Sequence, residues 1–88
     1  MKLTIINAVM EKREEGYYGS VQFTLEQHAS LYEISLHSKR GIDWDYSLNF
    51  AKESGSEEEL LAADSLIEAD DDLFNQILDA AEEALAKE

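Results

Sequence analysis

A hydroxyl, an imidazole and two carboxylates, Ser35, His37, Asp43 and Asp45, fall within eleven residues of this 88-residue chain. Held within hydrogen-bond reach, such groups form a nucleophile, a base and an orienting acid. In "LYEISLHS" Ser35 and His37 are two apart, the spacing of neighbours on one face of a strand. A three-residue hairpin loop of Lys39, Arg40 and Gly41 would set His37 opposite Asp43 and Ser35 opposite Asp45. The flat side of a sheet supplies neither oxyanion donors nor a wall against water, and catalysis needs both. The grouping therefore reads as cross-strand polar pairing, and no catalytic residue is assigned.

Metal chemistry finds no better footing. His28 sits in a turn pattern and reads as solvated, at the far end of the strand that carries His37, so the two histidines cannot share a zinc ion. The run "EADDDLF", Glu68 to Phe74, lacks the alternating Asp spacing of a calcium loop, and no glycine follows Gly55 to make its sharp turn. Cysteine is absent, which removes thiol nucleophiles, disulfides and Cys-type zinc sites. Gly-rich phosphate loops, H-E-x-x-H and the nucleophile elbow are absent too. The expectation is a protein that is not an enzyme and takes no metal or cofactor.

Charge is more informative than any motif. The net charge is −13, from 20 acids and 7 bases. Residues 1–52 hold 7 acids and 6 bases, a balance of −1, whereas residues 53–88 hold 13 acids and one base, a balance of −12. Direct nucleic-acid binding needs Lys/Arg clusters, and anionic membrane surfaces need the same; neither is expected. A basic protein partner fits. If residues 53–88 are all helical, their acids spread along ~54 Å of rise. That is one carboxylate per ~4 Å, against one phosphate per ~3.4 Å in a DNA strand. Mimicry of a nucleic acid is therefore an alternative reading, although any acidic amphipathic helix reaches similar densities.

The elements that must position these residues follow from apolar periodicity. "IDWDYSLNF" puts Ile42, Trp44, Tyr46, Leu48 and Phe50 on one face; "YYGSVQFTLEQ" and "LYEISLHS" alternate in the same way. Such alternation marks antiparallel strands with one buried face. The loop at Lys39–Gly41 would pair Leu36 with Trp44, Ile34 with Tyr46 and Tyr32 with Leu48. A similar loop at Glu14-Glu15-Gly16 would pair Arg13 with Tyr17 and set Val9 beside Val21, and a four-residue loop is expected around "QHAS". The first strand is apolar on both sides, with Leu3, Ile5 and Val9 against Thr4, Ile6, Ala8 and Met10, so something should cover its second face.

After "KESGSEEE" the period becomes helical. Ser56 reads as an N-cap with Glu59 three residues on. Leu60, Ala63 and Ile67 make one stripe, and Leu73, Phe74, Ile77, Leu78, Ala81 and Leu85 a stronger one. Asp70 or Asp71 should cap a helix start between them. The expected architecture is α+β: a single domain, residues 1–88, with a four-stranded antiparallel meander (1–52) followed by one or two acidic C-terminal helices (53–88) packed on one sheet face.

Two candidate binding surfaces result. Ile6, Met10, Tyr18 and Leu31 would form an apolar patch on the open sheet face, suited to a protein partner or a second copy in a homodimer. Glu57, Glu68, Asp70, Asp71, Asp72, Asp79, Glu82 and Glu83 would form an acidic surface for a basic partner. The start "MKLTIINAVMEKREE" does not read as a secretory signal, and no run approaches a membrane span, so a reducing, cytoplasmic setting is expected.

Overall fold

The computed structural model describes residues 2–52 and 54–86. Four strands, β1 (Leu3–Arg13), β2 (Gly16–Leu25), β3 (Tyr32–Ser38) and β4 (Asp45–Phe50), make one antiparallel sheet in chain order. Two helices follow, α1 (Glu57–Ala69) and α2 (Asp71–Ala86). The expected α+β meander with C-terminal helices is the observed one.

Rows of side chains run across the buried face: Ile5, Phe23, Tyr32 and Phe50; Ala8, Val21, Ile34 and Leu48; Met10, Gly19, Leu36 and Tyr46. Gly19 is small for a reason. A Cβ there would lie 2.9 Å from the Val9 carbonyl oxygen and 3.1 Å from Met10 Cε, so the methionine fills the space that a side chain would take.

β1 departs from the expected pairing. Its hairpin turns through two residues, Glu14 and Glu15, so Arg13 pairs with Gly16 rather than Tyr17. Gly16 has φ +139, and a side chain on it would collide with the Ser38 carbonyl. The one-residue shift inverts the second half of β1: Ala8, not Val9, sits opposite Val21, and Val9 is 51% exposed. A bulge at Ile6 then sets Ile5 opposite Phe23 and Leu3 opposite Leu25. Leu3, Ile5, Ala8 and Met10 thus all join the core. The double-sided sequence is a single-sided strand with an extra residue in it.

The β3–β4 connection is longer than three residues. Tyr32 pairs with Phe50, Ile34 with Leu48 and Leu36 with Tyr46, two residues off the expected register, and residues 39–44 form the loop. Gly41 takes φ +77 and its amide donates to Ser38 Oγ at 2.8 Å. Ile42, expected on the buried face, is 75% exposed in this loop. Trp44 folds back against Tyr17, ring centroids 6.1 Å apart. The β2–β3 connection is also longer than four residues, spanning 26–31, with Gln27 at φ +71.

The helices begin as their sequences demand. Ser56 Oγ accepts from the Glu59 amide at 3.3 Å and starts α1. Asp70 works at both sides of the break: its amide donates to the Leu66 carbonyl, while its Oδ1 accepts from the amides of Asp72 (3.0 Å) and Leu73 (3.4 Å). Ala63 and Ile67 of α1, and Leu73, Ile77 and Ala81 of α2, are buried. α2 packs chiefly on β1, with lesser contact to β2, and α1 reaches β4. The first strand's core half is therefore covered from within the chain.

Candidate functional site

Two surfaces carry the residues singled out by the sequence. The first is the sheet face away from the helices, where successive rows read Glu11, Tyr18, His37, Asp45; then Val9, Ser20, Ser35, Ser47; then Asn7, Gln22, Glu33, Asn49. In the first row the Tyr18 and His37 rings lie 4.7 Å apart at 34°, and the Arg13 guanidinium sits 5.1 Å from the Tyr18 centroid. Arg13 donates to both oxygens of Glu11, at 3.1 and 3.2 Å. This bond, reinforced by the charge, lowers the Glu11 pKa and raises that of Arg13. Tyr18 thus contacts both a cation and an imidazole.

The register correction rearranges the Ser/His/Asp grouping: Ser35, His37 and Asp45 line one open hollow on this face, and His37, Asp43 and Asp45 line another. His37 faces Asp45 rather than Asp43, and Ser35 faces Ser47 rather than an aspartate. Asp43 lies in the exposed 39–44 loop. Ser35 and His37 remain two apart on one strand, about 7 Å at the usual rise.

The four residues of the apolar patch do not meet. Met10 is 1% exposed and part of the core, because the shift of β1 turned it inward. Leu31 is half-buried at the opposite end of the sheet, where its carbonyl accepts from the Ala51 amide. Tyr18 is half-buried in its stack, and Ile6, the bulge residue, is 55% exposed. The apolar exposure on β1 consists of Ile6 and Val9.

The eight carboxylates assigned to an acidic surface lie on and between α1 and α2. Glu57, Glu68, Asp70, Asp71, Asp72, Asp79, Glu82 and Glu83 are all exposed. Among the described residues the one ion pair is Arg13 with Glu11, and none of these eight carboxylates pairs with a described cation. Their neighbours feel them. The Tyr46 hydroxyl pKa is raised by burial and then by the charges of Asp64 and Glu68.

Two further groupings had no signal in the sequence. At one end of the sheet, His28 Nδ1 and the Tyr32 hydroxyl share a 2.7 Å hydrogen bond, and the Ala29 amide donates to Glu59 Oε1 at 3.2 Å. His28 is thus half-buried rather than solvated, and Tyr32 is pushed upward in pKa by burial and by Glu59. At the other end a cleft of about 350 Å³ opens between the 39–44 loop and the last turns of α2. Tyr17, Trp44, Arg40, Glu82 and Leu85 line it, with Met10 at its floor. These residues come from four separate stretches of chain, so no local spacing announces them. No cluster of three His, Cys, Asp or Glu suited to a metal occurs among the described residues.

The chain matches no family model, no curated protein and no solved structure. Function has to be argued from these surfaces alone.

Proposed function

We propose that this protein is a non-catalytic interaction module whose acidic helical layer docks on a basic surface of another protein. The observation behind the reading is uncompensated charge: eight exposed carboxylates on and between α1 and α2 with no cation against any of them among the described residues. Crowding like charges on a small domain costs self-repulsion, and a cationic partner relieves it while accelerating encounter. Single exposed ion pairs contribute little, roughly 0–1 kcal/mol each. Several acting together against one basic surface give an association that is fast and strongly salt-dependent.

The test uses affinity capture from the native cell extract at low and high salt, on the wild-type chain and on a variant with Asp71, Asp72, Asp79, Glu82 and Glu83 changed to their amides. A partner held at low salt, released by added salt and lost on the variant supports the reading. Retention untouched by the five changes sinks it. Displacement of that partner by duplex DNA would favour the narrower alternative, an inhibitor that imitates a nucleic acid in a basic groove.

A second reading is a homodimer through β1, favoured by the exposure of Ile6 (55%) and Val9 (51%) on one edge strand. Sedimentation of Val9→Asp against wild type tests it, since the substitution leaves the core alone. Met10→Asp would not, because it buries a carboxylate. No helix among the described residues is long and apolar enough to cross a membrane. A cytoplasmic location belongs to the proposal and rests on the sequence only.

A further inference from the structure

The cleft at the end of α2 combines groups that favour one kind of occupant. Tyr17 and Trp44 present two aromatic rings tilted at 53° with centroids 6.1 Å apart. Such ring faces attract cations, and Lys12 Nζ already sits 5.7 Å from the Tyr17 centroid. Glu82 lines the opposite wall, exposed and without an ion pair among the described residues. Leu85 and Ala86 bring in the last turn of α2, where the negative end of the macrodipole adds to the attraction and where α2 itself places no basic residue. Among the described residues, Arg40 on the loop side and Lys12 over the Tyr17 ring are the cations an occupant has to displace or share the site with. The volume, about 350 Å³, is that of a small pocket rather than a groove for a helix.

We infer that this cleft is the anchor pocket for a single arginine or lysine side chain of a basic partner, its alkyl stem against Met10 and Leu85 and its charged head between the Tyr17/Trp44 rings and Glu82. The inference rests on the reading that the partner is basic. It adds a fixed point of contact to an otherwise diffuse charge attraction. A long cationic side chain suits the site because its stem is apolar and its head is charged. Arg40 then acts as a gate on affinity, since it shares the cleft with the incoming cation.

Trp44 is the sole tryptophan of the chain, so its fluorescence reports on this cleft directly. The experiment titrates an oligo-arginine peptide, with an oligo-glutamine peptide as control, into wild type, Glu82→Gln, Arg40→Ala and Asp72→Asn. Asp72→Asn removes the same charge at the far end of α2, ten residues away or about 15 Å. The expected result is a saturable change in Trp44 emission with oligo-arginine only. Glu82→Gln should weaken binding about tenfold, the scale of one well-placed cation contact. Asp72→Asn should weaken it about twofold or less, and Arg40→Ala should tighten it. Binding with unchanged Trp44 emission and equal effects of Glu82→Gln and Asp72→Asn would overturn the anchor pocket and leave the acidic layer as the docking surface. Absence of any oligo-arginine binding at low salt would overturn both.

Discussion

The open sheet face and the helical layer are both polar surfaces, yet they handle their polar groups differently. On the sheet face Ser20, Ser35 and Ser47 lie in one row, Asn7, Gln22 and Asn49 in the next, and the charge of Arg13 is taken up by Glu11 and Tyr18. The polar side chains that bond there do so along one strand, Arg13 to Glu11 and Asn49 to Ser47, each two residues apart. On the helices they meet their own kind: Asp64 with Glu68 and Asp79 with Glu83 are four residues apart, the spacing of neighbours along a helix, and each such like-charge pair costs roughly 0.2–0.5 kcal/mol. β1 sets a base beside an acid on this face, Arg13 next to Glu11, whereas α1 and α2 contain no base to set beside their carboxylates. The strain of that layer is what a cationic partner would relieve.

The comparison can be broken most severely from below. Ile77 is fully buried under α2, and Ile77→Ala should cost about 2–5 kcal/mol in chemical denaturation. Ser47→Ala on the open face should stay within about 0.5 kcal/mol. Equal costs would mean that the two layers are not divided as described. Asp70→Ala should cost about 0.5–2 kcal/mol, because one carboxylate oxygen caps α2 through two amides. Asp71→Ala, exposed and outside those bonds, should cost clearly less in the same measurement.

Smaller effects sharpen the contrast. Tyr18→Leu removes the ring that contacts Arg13 and His37 and should cost about 0.5–1 kcal/mol. Added sodium chloride should raise Tm, since it screens the repulsion among helix carboxylates; a fall in Tm with salt would contradict a net repulsion among those acids. At high pH the sign is fixed by Tyr32 and Tyr46, both raised above the usual value near 10. Their folded state retains protons that the unfolded chain loses, so their contribution is complete below that value. It declines as pH rises through the higher folded pKa values. Tyrosinate absorbance followed alongside circular dichroism should show a part of the tyrosine signal appearing late, together with unfolding.

Much of this was readable beforehand because alternation and helical stripes are direct records of which side chains are buried. Val21, Phe23, Ile34 and Leu36 face the core, as do Ile67, Leu73 and Ile77, each on the stripe its spacing assigns. The Ser56 and Asp70 caps follow from side-chain oxygens placed beside free amides. The register of β3 against β4 was not readable, since a slip of two residues leaves every side chain on the same face. The observed register goes with a six-residue loop, 39–44, in which Trp44 turns back on Tyr17. Nor was the bulge at Ile6. Both parities of β1 are apolar, and the packing of α2 on this strand selected the one that buries Ala8 and Met10.

Chain order and residue type by themselves determined the meander, the two helical stripes, their caps and the concentration of acids in the last 36 residues, because each depends on neighbours a few positions apart. Tertiary structure alone decided that Met10 is core, that the Ala29 amide bonds to Glu59, and that Trp44, Tyr17 and Glu82 share a cleft. Those contacts join residues far apart along the chain, and only the packing of a helix or loop onto a sheet brings their side chains within a few ångströms of one another.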